Sequence, residues 1–332
     1  MTEWKETIAP DEEARFEKHA ALLAGLQKGV AKGGDVVLRA LHAKSHAGVT
    51  ARLEVLDAPA ELKHGLFAAP ATYAAYVRFS SGTGFLQPDT APDIRGVAIK
   101  VLGVAGAKVI PGLEKASTQD FLFIQTPANA FVGPDDFVRF VHIVSRGKAL
   151  ALPRLIGAFG WKAFGHLRKL MKTLSTSRHS FAHQRFYTAL PLRYGPHACK
   201  LDLRSVGANG EAATKGPHGL AEDLAARLAR EPLTYELGVQ LFVDEARTPI
   251  EDASVAWDEA VSPFRAVARL TIPTQQLNGT VHDYVEKLAF DPWHALVEHR
   301  PLGAMMRARN HAYRASTMAR RATDELTVED LA

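Results

Sequence analysis

Nine short runs rich in β-branched and aromatic residues, each bounded by turn residues, constrain this chain more than any other feature, because isolated strands of this length must pair to persist. Five of them, at 36–44, 49–56, 73–79, 96–104 and 121–125, crowd into the first half. Four more, at 186–190, 198–206, 233–243 and 266–272, follow a helical interruption. Strands this closely spaced predict an antiparallel barrel, and the helices around them make the fold class α+β. With 332 residues, 47% of them hydrophobic, the chain can bury a large core; barrels commonly exceed 200 residues as one unit, so one domain over 1–332 is expected.

Helical patterns frame the strands. Phe16, Ala20, Leu23 and Leu26 recur at helical spacing, and Lys32-Gly33-Gly34-Asp35 ends that pattern, giving an N-terminal helix within 1–35. The barrel is expected over 36–275, with a helical insertion at about 134–175 opened by Asp135 and Asp136. Within it, 155–174 carries apolar residues on nearly every turn, with Lys162, Arg168, Lys169 and Lys172 between them. That mixture also suits a membrane surface, but the reading preferred here is a helix packed over the barrel, without membrane association. A further helix is expected at about 220–229, and 276–332 is helical, its last strong helix at 305–321.

Charge and cysteine content exclude several classes. Forty basic and 36 acidic residues give a net charge of +4, read as a mixed surface without a nucleic-acid footprint. The single Cys199 allows no internal disulfide and no Cys-Cys metal site; it reads as core and suits a reducing compartment, so a cytoplasmic location is expected. The polar start, Met1-Thr2-Glu3-Trp4-Lys5-Glu6, lacks a secretory pattern. The apolar stretch 149–164 is interrupted by Pro153, Arg154 and Lys162 and is too short to span a bilayer.

Three segments could carry chemistry. In Leu38-Arg39-Ala40-Leu41-His42-Ala43-Lys44, read as a strand, His42 shares a face with Ala40 and Lys44; it is either a satisfied core residue or a functional imidazole. In Tyr76-Val77-Arg78-Phe79-Ser80, Arg78 shares a face with Ser80, and a buried arginine there requires either a nearby acid or an anionic ligand. In the last helix, Arg309 and Tyr313 stack four apart and Arg320 follows two turns on. That stripe is either a solvated basic face or a guanidinium favouring the phenolate form that can ligate Fe(III).

Together these segments resemble the haem catalase superfamily, in its small form without a C-terminal domain. Arg39-Ala40-Leu41-His42-Ala43-Lys44 is similar to the segment that carries the distal histidine. Tyr76-Val77-Arg78-Phe79-Ser80 and Ile94-Arg95-Gly96-Val97-Ala98-Ile99-Lys100 are similar to the paired strands that follow it. Gly195-Pro196-His197-Ala198-Cys199-Lys200-Leu201 resembles a later strand, and Arg309 to Tyr313 has the Arg-x-x-x-Tyr pattern of the axial helix. The likeness covers about residues 36 to 321.

The resemblance implies a catalase-like barrel with haem b as cofactor and Tyr313 as iron ligand, held as phenolate by Arg309. It assigns Arg39, Arg78 and Arg320 to the haem propionates, His42 to acid–base catalysis on the distal side, and Ser80 to orienting the histidine ring. Thr118 falls where the family has a distal asparagine, before Phe121-Leu122-Phe123-Ile124, and Phe131 is a candidate haem-stacking aromatic. The implied function is a hydroperoxidase acting on hydrogen peroxide or organic hydroperoxides, as catalase, peroxidase or both. The alternatives are a biosynthetic haem enzyme that oxidises or rearranges an organic substrate such as a fatty-acid hydroperoxide, and a non-catalytic barrel holding haem or another apolar ligand. Expected partners are a peroxide and an organic electron donor, with a homodimer allowed. Because the chain stops soon after the axial helix, neither NADPH nor a flavodoxin-like domain is expected.

Overall fold

In the computed structural model, which describes residues 3–31, 37–145, 150–174, 179–208, 214–277, 279–323, 325–327 and 329–331, alternation of apolar and polar residues closes a barrel. The strands are β1 (Lys44–Val55), β2 (Ala71–Ser81), β3 (Arg95–Leu102), β4 (Thr118–Ile124), β5 (Arg185–Tyr187), β6 (Leu192–Tyr194), β7 (His197–Val206), β8 (Leu233–Leu241) and β9 (Arg265–Ile272). They pair antiparallel in the order β5-β4-β3-β2-β1-β9-β8-β7-β6, and β5 also pairs with β7. Eight strands therefore close the barrel, leaving β6 as a short addition on β7 outside the ring. Closure removes the edges that would otherwise invite pairing with another chain.

Inward side chains fill the barrel: Val49, Leu53, Val77, Phe79, Ile99, Phe123, Phe186 and Leu237 belong to one continuous apolar cluster. Cys199 lies in the same core, as expected, and burial pushes its thiol well above the usual range. Tyr235 donates its hydroxyl hydrogen bond to the Phe181 carbonyl at 2.7 Å, so the one polar atom of that ring is satisfied in the interior. Helix α5 (Gly219–Leu228) adds Leu220, Leu224 and Leu228 to this core.

Two findings correct the strand pattern. The first expected strand, 36–44, is not one: its described residues run as an irregular segment with a bend at Ala40–His42, and β1 begins only at Lys44. His42 there has φ +56°, a left-handed conformation incompatible with continued extension. The ninth strand is instead β6, a three-residue run between Pro191 and Gly195.

The remaining helices are α1 (Glu12–Ala31), α2 (Pro134–Ser145), α3 (Ala151–Phe159), α4 (Lys162–Leu174), α6 (Gly279–Lys287) and α7 (Ala304–Arg320). The Lys32–Asp35 stop signal lies outside the described residues. Helix α6 lies on β1 at Gly48, where an added Cβ would meet Val285 Cβ at 2.7 Å, so only glycine permits this approach. Helix α7 packs on α1 and is clamped by Arg307, whose guanidinium bonds Glu12 at 2.5 Å, Glu6 at 2.6 Å and Glu251 at 3.2 Å. The insertion does not lie over the barrel as expected: α3 packs mainly on α2 and α4.

Candidate functional site

The loop that replaces the first expected strand is pinned at both sides of its bend. The His42 and Ala43 amides donate to the Gly82 and Thr83 carbonyls, each at 3.0 Å, and the Ala40 amide reaches Ser316 Oγ of α7 at 3.4 Å. Left-handed backbone at a non-glycine residue costs on the order of 1 kcal/mol, a strain this pinning sustains. It aims the imidazole at β2 and β3. His42 Nδ1 lies 2.9 Å from Ser80 Oγ, and the ring rests on Gly96, where a Cβ would stand 2.6 Å from Cε1 and 2.8 Å from Nδ1. Nε2 has no hydrogen-bond partner among the described residues. Burial first, then Arg78, Arg309 and Arg39, push the His42 pKa down to about 3, so the imidazole is neutral at physiological pH.

Beside the histidine, three guanidiniums converge on one short segment. Arg78, two residues before Ser80 on β2, bonds Glu286 Oε1 at 2.6 Å and Oε2 at 3.2 Å and donates to the His42 carbonyl at 3.0 Å. Arg39 reaches Glu286 Oε2 at 3.0 Å and the Leu288 carbonyl at 3.0 Å. Arg320, at the end of α7, donates to the Glu286 and Leu288 carbonyls at 3.1 and 3.4 Å, while its buried Nε lacks a partner. Of the two options the sequence left open for Arg78, the nearby acid is present, and it is Glu286 of α6. Nothing in the sequence pointed to it, because its arginine partners lie 208 and 247 residues away.

One carboxylate does not balance three guanidiniums. Burial, then Arg78 and Arg320, pull Arg39 well below its ordinary value despite Glu286. Arg320 falls to about 10 through burial and Arg78. The cluster keeps an excess of two positive charges in a largely buried place, which is the electrostatic demand that a dianionic ligand would meet.

Helix α7 supplies the other face. Arg309 Nη2 donates to Tyr313 Oη at 2.7 Å, with its guanidinium carbon 5.0 Å from the centre of the tyrosine ring. Ser316, one turn on, is the residue that touches the His42 loop, and Tyr313 and Arg309 are within electrostatic reach of Arg39 and His42 respectively. The structure therefore brings His42, Ser80, Arg39, Arg78, Arg309, Tyr313 and Arg320 into one region.

Two expected residues lie elsewhere. Thr118, at the start of β4, donates to Glu325 Oε1 at 2.5 Å. Gly96, against which His42 rests, pairs with Ile124 at the opposite end of that strand, so Thr118 is about 20 Å along the strand from it at the usual rise per residue. Phe131 is buried against Phe140 at 5.0 Å and Phe137 at 6.0 Å, in an aromatic cluster with α2 and not beside the histidine. Thr118 belongs to a buried network that the sequence did not reveal: Lys100 Nζ bonds Asp120 at 2.8 Å and Glu325 at 2.5 Å, and His294 Nδ1 lies 2.5 Å from Glu325. Asp120, His294 and Glu325 are close enough to share a metal ion, but the Lys100 ammonium already bonds both carboxylates.

No protein-family model and no curated protein sequence matches this chain. Solved structures do. It superposes on a fungal catalase with a TM-score of 0.71 at 18% identity, over 88% of this chain and 61% of that one. For catalase A from Saccharomyces cerevisiae the values are 0.68, 16%, 88% and 62%, and for a bacterial catalase 0.67, 17%, 95% and 62%. At such identity the likeness establishes the fold, which is catalase-like, and the chain spans about three-fifths of the length of these catalases.

Proposed function

We propose that this chain binds haem b through Tyr313 and acts as a hydroperoxidase on hydrogen peroxide or organic hydroperoxides. The observation that carries the reading is the Arg309–Tyr313 hydrogen bond, set in the same region as a half-buried, neutral His42. The Arg309 guanidinium donates to the phenol oxygen and so fixes in place the atom that would bind ferric iron. The fit extends to charge: Arg39, Arg78 and Arg320 exceed Glu286 by two, and haem carries two propionates. Bound in this way, haem would supply the redox chemistry that splits the O–O bond.

The chain's own residues would then handle the proton. Neutral His42, with Nδ1 engaged by Ser80, presents Nε2 as a base that takes the hydroperoxide proton and returns it to the departing oxygen. A histidine already protonated could not begin this cycle, so the low pKa imposed by burial and the arginines serves the step. Gly96 and Ser80 fix the ring; the left-handed backbone fixes its origin. With Thr118 bonded to Glu325, the distal side lacks the hydroxyl that the sequence placed there, which favours organic hydroperoxides over efficient dismutation of hydrogen peroxide.

The test is peroxide consumption by haem-supplied protein, with oxygen recorded, for the parent and His42→Ala. A loss of ~10²- to 10⁴-fold in the variant is expected if His42 moves the proton. Unchanged consumption would remove His42 from the mechanism. Steady oxygen release marks a catalase, whereas consumption of an organic hydroperoxide without oxygen marks peroxidase or rearranging chemistry.

A further inference from the structure

Between Asp136 and Asp202 the chain contains twelve lysines and arginines and no acidic residue, so the remainder of this weakly basic protein is net acidic. The expectation of a mixed surface is therefore corrected for this segment. Helices α3 and α4 lie inside it, and residues 150–174 alone carry Arg154, Lys162, Arg168, Lys169 and Lys172.

The same helices expose apolar side chains that the barrel does not cover. Leu150, Leu152, Ile156, Trp161, Phe164 and Met171 are 55, 49, 40, 87, 48 and 58% exposed, six of the thirteen large exposed hydrophobics among the described residues. Their arrangement is directional. Leu152 and Ile156 are four apart on α3, while Phe164 and Met171 lie seven apart on one side of α4, with Trp161 in the turn immediately before it. Leu155 and Ala163 face inward instead, at 8 and 6% exposure. Trp161 and Phe164 have their ring centres 5.7 Å apart, and Arg168 and Lys169 are exposed beside them.

We propose that the α3–α4 hairpin is a membrane-surface anchor that inserts this apolar stripe among the acyl chains of an anionic bilayer. Two independent features choose this occupant. Exposed aliphatic and aromatic side chains gain by leaving water for hydrocarbon, with the indole suited to the headgroup boundary. The flanking cations belong to a stretch of sequence that contains no acidic residue, and their charge matches anionic headgroups. A nucleic acid would satisfy the charge but leave Leu152, Ile156 and Met171 in water. No helix among the described residues is long and apolar enough to cross a membrane, so the hairpin lies on the surface. This inference does not depend on the haem reading.

The full-length protein is sedimented with vesicles of phosphatidylglycerol and phosphatidylcholine, and with phosphatidylcholine alone. Binding to the anionic vesicles is expected, with Trp161 fluorescence quenched by bromine-labelled acyl chains. Trp161→Asp/Phe164→Asp and Arg168→Glu/Lys169→Glu should each lower partitioning roughly tenfold or more, with circular dichroism confirming an intact fold. Absence of binding to anionic vesicles overturns the proposal, as does binding that survives the two aspartates. So does a dimer in solution that the aspartates dissolve, which would make the stripe a self-interface, or nucleic-acid binding indifferent to those aspartates.

Discussion

Glu286→Gln removes the one carboxylate that touches Arg39 and Arg78 among the described residues, while keeping the shape and one of the two acceptor oxygens. Burial alone would raise the Glu286 carboxyl, but Arg78 and Arg39 outweigh it and hold it down from the ordinary 4.5 to about 2. A difference of that size corresponds to about 3 kcal/mol at roughly 1.4 kcal/mol per pKa unit. The side chain is 29% exposed, so solvent screening reduces the expected loss in the ligand-free variant to about 2 kcal/mol. Because the folded-state pKa is depressed, this contribution is present above about pH 4.5 and disappears as pH falls through about 2. Urea unfolding of parent and variant between pH 7 and pH 3 measures both magnitude and slope. Haem adds a second readout: if propionates take the arginine charge, haem should raise the urea midpoint more in Glu286→Gln than in the parent. A variant as stable as the parent without haem, and no more stabilised by it, would refute the charge argument.

Gly96→Ala would press a methyl into the His42 ring; an activity loss of at least tenfold is expected with about 1–3 kcal/mol of overpacking, read from turnover and urea midpoint together. His294 has a raised pKa of about 10, where burial opposes but the Asp120 and Glu325 contacts prevail. Its contribution to stability is therefore complete below about pH 6.5 and lost as pH rises through about 10, and His294→Asn should flatten the stability profile across that window.

Local patterns were legible in the sequence and long-range ones were not. The Arg309–Tyr313 pair could be placed because its partners are one helical turn apart, and β2, β3 and β7 could be placed because each alternates around turn residues. The segment before β1 misled, since valines and alternating apolar residues also occur in a pinned irregular stretch, and no residue pattern announces a histidine at φ +56°. Strand β6 was too short to show a period. Thr118 was assigned by its position ahead of Phe121-Leu122-Phe123-Ile124, yet its hydroxyl is taken by Glu325, a residue of the C-terminal segment that folding brings back across the strand. Glu286 escaped notice because a lone acid on a short helix acquires meaning only once α6 docks at Gly48.

The most direct test of the central claim is the absorption spectrum of haem-supplied protein, parent against Tyr313→Phe. A high-spin ferric tyrosinate spectrum in the parent, lost in the variant, is the predicted result. A parent that binds no haem, or a variant with the parent's spectrum, would contradict the account.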